Sequence, residues 1–327
     1  NGNPHLGRNM AGFANRGTIA NPNINPALST ELEFGIDLRL MGGKLGLDFG
    51  YYNQKTTDDI LNASISTASG FNSTTVNVGK LTNKGFEFLL TANALKSTAF
   101  SWDISVNFST NQNRVVSLIE GSNELSFEES RTRTSLIKHI VGQPFGTITG
   151  ISQKMLNGKP VFTAEGLPVR DDLYVPIGQS VAPFTGGITN NFSYKGFNLN
   201  FLIDTKLGGE IHSGTNQRLD NWGFSERTLQ GREGEAPLTV SGVNEKGEAL
   251  NLTLTPAQAQ AYWANLGNRD ASQYIYSGDF VKLRQLTFGY SLPKNLVSKT
   301  PFQAISASFV GRNLAVLFKN IPNVDPE

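Results

Sequence analysis

Residues 31–40, ELEFGIDLRL, alternate strictly between two kinds of side chain. Leu32, Phe34, Ile36, Leu38 and Leu40 share one face of an extended chain, and Glu31, Glu33, Gly35, Asp37 and Arg39 share the other. A period of two residues predicts a two-faced β-strand. Five more segments repeat it: LGLDFGYYNQ from Leu45, GFEFLLTAN from Gly85, FSWDISVNFST from Phe100, FNLNFLIDTKL from Phe197 and AISASFVGR from Ala304. Weaker alternation marks further strands near 131–141, 144–153, 184–194 and 279–291, about ten in all, several near the ~9–11 residues of a tilted membrane strand. One helix is expected, at TPAQAQAYWANL, where Thr255 suits a cap and Pro256 the first turn. The connections alternate in length. MGGK, ALKST, GQP, YKG and the longer LPKNLVSKTP are short, whereas roughly 54–79, 114–130, 154–182 and 208–278 are long. Tight turns at one end and long loops at the other suit a transmembrane barrel better than a sandwich.

Alternation alone leaves the apolar face free to meet a protein core or lipid. In the six clean strands that face carries no charge, as lipid demands and a core would too. Aromatic residues gather beside the short turns, at Phe100, Trp102, Tyr194, Phe197, Tyr290 and Phe302, the pattern of a membrane-interface belt. The polar face carries Gly, Ser, Asn and Asp rather than long charged chains, which suits a crowded aqueous lumen. Lys282 and Arg284 resist the pattern, because they share a register with Leu286, Phe288 and Tyr290. They are expected either above the membrane or beside a β-bulge that shifts the register.

Composition sharpens this picture. Hydrophobic residues make up 38% of the 327 and Gly supplies 34, while aromatics reach 10%. A chain of this length either packs a poor core or buries its apolar surface against something else. The net charge of +1, with no basic cluster, speaks against nucleic acid. The absence of cysteine excludes thiolate chemistry. No apolar run approaches a membrane helix, and the first 17 residues read as a loop entered midway rather than as a signal peptide. His5, His139 and His212 lack ligand spacing, and Ser213 beside His212 does not make a triad. Carboxylate pairs such as Glu31/Glu33 and Asp58/Asp59 read as solvated charge, and no enzyme activity, metal or cofactor is expected. The long loop 208–278 carries Trp222, Tyr262, Trp263 and Tyr274, suited either to stacking on a sugar or protein partner or to a small core of the loop's own.

FVGRNLAVLFKNIPNVDPE at 309–327 resembles the near-terminal signature of SusC/RagA-type TonB-dependent outer-membrane transporters. NPNINPALSTELEFGIDLRL, VNVGKLTNKGFEFLL, FSWDISVNFSTNQNRVVSL and FVKLRQLTFGYSLPK also resemble segments of that family, in order along the chain. The resemblance implies an all-β fold: a partial transmembrane antiparallel β-barrel, about ten strands of a 22-stranded wall. Residues 1–327 would form the C-terminal portion, with 1–28 and 208–278 as extracellular loops. The plug, the TonB box, the first strands and the last strand would lie outside this sequence. It further implies active import of an oligosaccharide or peptide across the outer membrane, energised through TonB and assisted by a SusD-like surface lipoprotein as lid. Glu33, Asp37, Arg39, Asp48, Glu87 and Asp103 are then expected to line the lumen. Two alternatives stay open: a passive porin, and a soluble extracellular β-sandwich that binds glycans.

Overall fold

The computed structural model describes residues 3–5, 8–10, 17–119 and 121–326. Its frame is an open antiparallel sheet of eight long strands. These are β1 (Leu28–Leu40), β2 (Leu45–Ser64), β3 (Ser73–Lys96), β4 (Phe100–Thr110), β5 (Phe184–Tyr194), β6 (Phe197–Leu207), β7 (Phe280–Ser291) and β8 (Ser306–Lys319). They pair in simple sequence order from β1 to β8. Two short strands, Thr18–Ile19 and Gln112–Ser117, add to β3 and bring the sheet to ten members.

The membership differs from the expected ten. Residues 131–141 and 144–153 contribute Ser135–Ile140 and Thr147–Gly150 to a separate four-stranded sheet with Glu124–Glu129 and Val175–Gln179. SLIKHI sets Lys138 and His139 side by side, so neither of its faces is free of polar groups, and both residues are buried within packed loops instead. The GQP turn joins strands of this smaller sheet, not of the barrel.

The remaining short turns all fall at one end of the large sheet: 41–44, 97–99, 195–196 and 292–305. At Lys195–Gly196 both residues have positive φ, 48° and 91°, which matches a tight two-residue hairpin between the paired Tyr194 and Phe197. The opposite end carries 65–72, 111–183 and 208–279. The expected loop at 54–79 is mostly strand: β2 and β3 stay paired from Leu45↔Ala92 to Ser64↔Ser73. Twenty residues of β2 extend about 65 Å, well past a membrane's apolar band, so its upper part loses the two-faced alternation that lipid would impose. There Leu61, Val78, Leu81, Val115, Leu118 and Leu125 form a small core.

The two large connections pack on each other. Phe162 of the first joins Leu238, Val240, Leu254, Ala259, Trp263 and Leu266 of the second. The expected helix forms as α2 (Pro256–Arg269), with a full capping box between Thr255 and Gln258. Helix α1 (Gly214–Asn221) carries no apolar stripe that would announce it. Ser213 is its N-cap, accepting from the Asn216 amide at 3.2 Å.

His139 lies between Phe127 and Phe145, with ring centroids 4.2 and 3.9 Å away. Its Nδ1 accepts from the Gly146 amide, and burial lowers its pKa to about 4. Above pH 6.5 the imidazole is neutral whether folded or not. Between pH 6.5 and 4 the unfolded chain takes up the proton first, so stability falls, by roughly 3 kcal/mol at the plateau below pH 4. Amide exchange across Ser135–Ile140 should accelerate over that window. A His139→Phe variant should lose the dependence; an unchanged pH profile would exclude His139 as its source.

Candidate functional site: the two faces of the sheet

Two neighbouring cross-strand rows define the wall. In the first, Leu38, Leu47, Leu90, Val106, Ile188, Ile203, Leu283 and Ala315 pair in succession across all eight strands without a polar side chain. One residue along each strand, Asp37, Asp48, Leu89, Asn107, Gly187, Asp204, Lys282 and Val316 form the next row, on the opposite face. A one-residue step thus exchanges a wholly aliphatic row for one in which four of eight residues are charged, although Leu89 and Val316 stay aliphatic.

Aromatic rings bracket the aliphatic row on both sides. Towards the short turns, Trp102 stacks on Phe192 at 5.6 Å, Phe192 on Phe201 at 6.1 Å, and Phe197 on Phe288 at 6.0 Å. Towards the long connections, Phe49 stacks on Phe86 at 5.8 Å, Phe88 on Phe108 at 4.9 Å and Phe108 on Phe184 at 5.8 Å. Phe100 and Phe108 are eight residues apart on β4, about 26 Å, close to the height of a barrel's lipid-facing band. Of the first group only Trp102 and Phe197 are among the aromatics expected beside the short turns; Phe192, Phe201 and Phe288 join them, and the second group forms only when β2, β3, β4 and β5 come into register. The apolar face also holds one buried polar group, Asn190, whose Oδ1 accepts from the Trp102 indole at 3.0 Å.

The difficult register of Lys282 and Arg284 has a definite cause. Leu202 pairs with Gln285 and Ile203 with Leu283, so Arg284 is the extra residue of a β-bulge. The bulge exchanges the faces of everything before it, and Lys282 therefore stands opposite Asp204 on the polar side. Arg284 donates to Asp204 Oδ2 through Nε (3.0 Å) and Nη2 (2.6 Å) and to Asn313 through Nη1 (2.8 Å). Lys282 is buried and paired with Asp325 of the segment after β8. That segment also docks on α1: Asn323 donates to Asn216 Oδ1 at 2.8 Å, and Asn216 to the Pro322 carbonyl at 3.1 Å.

All six residues expected to line a lumen fall on the polar face. Arg39 lies 2.5 Å from Asp37 and 3.2 Å from Asp48. Glu33, Asp37, Asp48 and Glu87 surround a groove of about 640 Å³ over Gly35 and Gly50, whose missing side chains open it. Asp103 stands apart and accepts from Asn93. Asp204, Lys282 and Arg284 add charge to the polar side; of the two placements expected for Lys282 and Arg284, the β-bulge is the one observed.

The aromatic residues of 208–278 divide. Tyr274 is fully buried and donates to Asp220 Oδ2 at 2.8 Å, which together with burial raises its pKa. Trp263 is buried and donates to the Gln230 carbonyl at 3.0 Å, and Tyr262 is half-buried against it at 5.2 Å. These three are occupied within the loop's own core. Trp222 is 64% exposed beside Phe224 at 74%, and it borders cavities of about 660 and 700 Å³.

A family model described as TonB dependent receptor-like, beta-barrel matches residues 2–148. The chain is 28% identical to TonB-dependent receptor P3 of Formosa agariphila, over 94% of its own length and 31% of that protein's. It is 25% identical to TonB-dependent receptor SusC of Bacteroides thetaiotaomicron, over 83% of its length and 26% of that protein's. Its fold matches the RagAB peptide importer in the closed-closed state with a TM-score of 0.66, at 20% identity, over 91% of this chain and 33% of that one. The chain therefore spans about a third of the relatives' length. By name these relatives are TonB-dependent receptors and a peptide importer.

Proposed function

From the premise that this chain belongs to the TonB-dependent receptor β-barrels, we propose that it forms part of the wall and outer loops of an outer-membrane importer. The importer takes up a large nutrient, an oligosaccharide or a peptide, drives its passage through TonB, and works beneath a SusD-like lipoprotein. The observation that carries this reading is the pair of adjacent rows over eight strands, one aliphatic throughout and the other, on the opposite face, holding Asp37, Asp48, Asp204 and Lys282. A soluble sandwich would bury the aliphatic row in a second sheet; here Leu38 and Ile188 of that row are 43% and 41% exposed, and Phe288 on the same face is 50% exposed. In lipid those side chains are solvated and a cation among them costs ~2–4 kcal/mol, which the bulge at Arg284 avoids. Glu33, Asp37, Arg39, Asp48, Glu87 and Asp103 then face the lumen, and 208–278 faces outward with Trp222 as its accessible contact for cargo or lid. The likeness to SusC and RagAB supports the lipoprotein partner.

The test is extraction of the native protein in detergent, with masses of the intact particle and its chains, followed by uptake with and without TonB. The expected result is a detergent-bound chain of about three times this length, in equimolar complex with a lipoprotein, and uptake that stops without TonB. Uptake unchanged without TonB would make it a passive pore. A 35.5 kDa species soluble without detergent would overturn the membrane reading altogether.

A further inference from the structure

We propose that the apolar-side surface of the β2–β3 hairpin, just above the second aromatic group, binds a phosphate-bearing lipid headgroup of the surrounding leaflet. This rests on the membrane reading above. Lys55, Thr82 and Arg114 form one cross-strand row, and Lys84 stands one pair lower, between Asn53 and Gln112. All belong to the register of Tyr51 and Phe86, hence to the face that meets lipid further down. With strands ~5 Å apart and same-face neighbours ~7 Å apart, the three cations converge within about 10 Å.

Nothing on the protein neutralises them. The residues paired around them are Thr30, Leu32, Thr82, Asn53 and Gln112, none acidic. Among the described residues no ion pair engages Lys55, Lys84 or Arg114, and all three side chains are exposed. Arg114 is aimed: its Nε donates to the Gly142 carbonyl at 3.1 Å, and among the described residues no other acceptor takes up the rest of its fork. Beneath the cations opens a cavity of about 880 Å³ walled by Tyr51, Phe86, Phe184, Lys84 and Arg114, with Gln112 at its polar rim. Aromatic rings below and uncompensated cations above match an amphiphile with acyl chains and a phosphate. Lys84 sits only two residues from the ring of Phe86, so a bound headgroup meets the charge without leaving the interface.

The test compares lipid retention by the full transporter in native mass spectrometry. The probes are lipid A, dioleoylphosphatidylglycerol and zwitterionic dioleoylphosphatidylethanolamine. Lys84→Glu combined with Arg114→Glu should lower retention of an anionic probe roughly tenfold or more and leave the zwitterionic one unchanged, with Lys195→Glu at the opposite interface as an unaffected control. The anionic probe that shows the larger drop identifies the lipid as glycolipid or phospholipid. If the double variant fails to fold, Lys84→Gln supplies the comparison, with a smaller drop in the same direction. Equal retention by wild type and folded variant overturns the proposal. That failure leaves the detergent belt intact, whereas failure of the membrane reading removes the belt itself.

Discussion

An Asp220→Ala variant should lose the ordered structure of 208–279 while the barrel strands stay folded. Asp220, 3% exposed, accepts from Ser225 Oγ, from Arg227 through Nε and Nη2, and from the Tyr274 hydroxyl. It thereby ties the end of α1 to the turn after it and to the strand leading back towards β7. The Arg227 guanidinium also lies over the Trp263 and Tyr274 rings, at 5.4 and 5.1 Å. Without Asp220 the buried Tyr274 hydroxyl loses its acceptor, while Arg227, its side chain 40% exposed, keeps contact with water, so the loss is about 2–3 kcal/mol. Tyr274→Phe, which loses one hydrogen bond, should cost only about 1 kcal/mol. Hydrogen exchange on the full-length protein would separate them. Wild-type protection of 208–279 in Asp220→Ala would show that the buried pair does not hold the loop.

Substitution at Gly85 should prevent the barrel from assembling. A Cβ there would fall 1.9 Å from the Thr110 carbonyl oxygen and 2.6 Å from the Tyr52 hydroxyl. At this point β4 ends, the chain turns towards 112–117, and Tyr52 donates across the glycine to that same carbonyl at 3.2 Å. The obstacle is backbone on a neighbouring strand, which no rotamer relieves. Gly85→Val should cost about 3 kcal/mol or more and abolish the heat-modifiable folded band of the full-length protein. Gly35→Ala and Gly50→Ala provide the contrast, since their nearest neighbours lie 3.7 and 3.9 Å away. A Gly85→Val barrel that folds and melts like wild type would refute the clash.

The divided fate of the four loop aromatics shows where composition stops being informative. Trp222, Tyr262, Trp263 and Tyr274 look alike along the chain, yet only Trp222 is largely exposed. Exposure depended on α2 turning Trp263 towards Phe162, a residue about a hundred positions earlier and in a different connection. The same holds for the basic cluster above the aromatic rings. Lys55, Lys84 and Arg114 are each isolated in the sequence and meet only across three paired strands.

Alternation with a period of two was enough to identify β1, the clean parts of β2 and β3, β4, β6 and the start of β8, and to say which residues share a face. That inference is local: successive side chains of an extended chain must point to opposite sides, whatever the rest of the molecule does. It placed Glu33, Asp37, Arg39, Asp48, Glu87 and Asp103 together on the polar face without knowing their neighbours. The bulge at Arg284, the second aromatic group and the sheet that takes up 131–153 were decided only by tertiary structure. Each depends on the register between strands, and register is set by pairing partners that may be a hundred residues distant. One extra residue in one strand was enough to carry Lys282 from the apolar side to the charged side; the strand's own alternation records the conflict with Leu286, but only the pairing with Asp204 decides for the bulge.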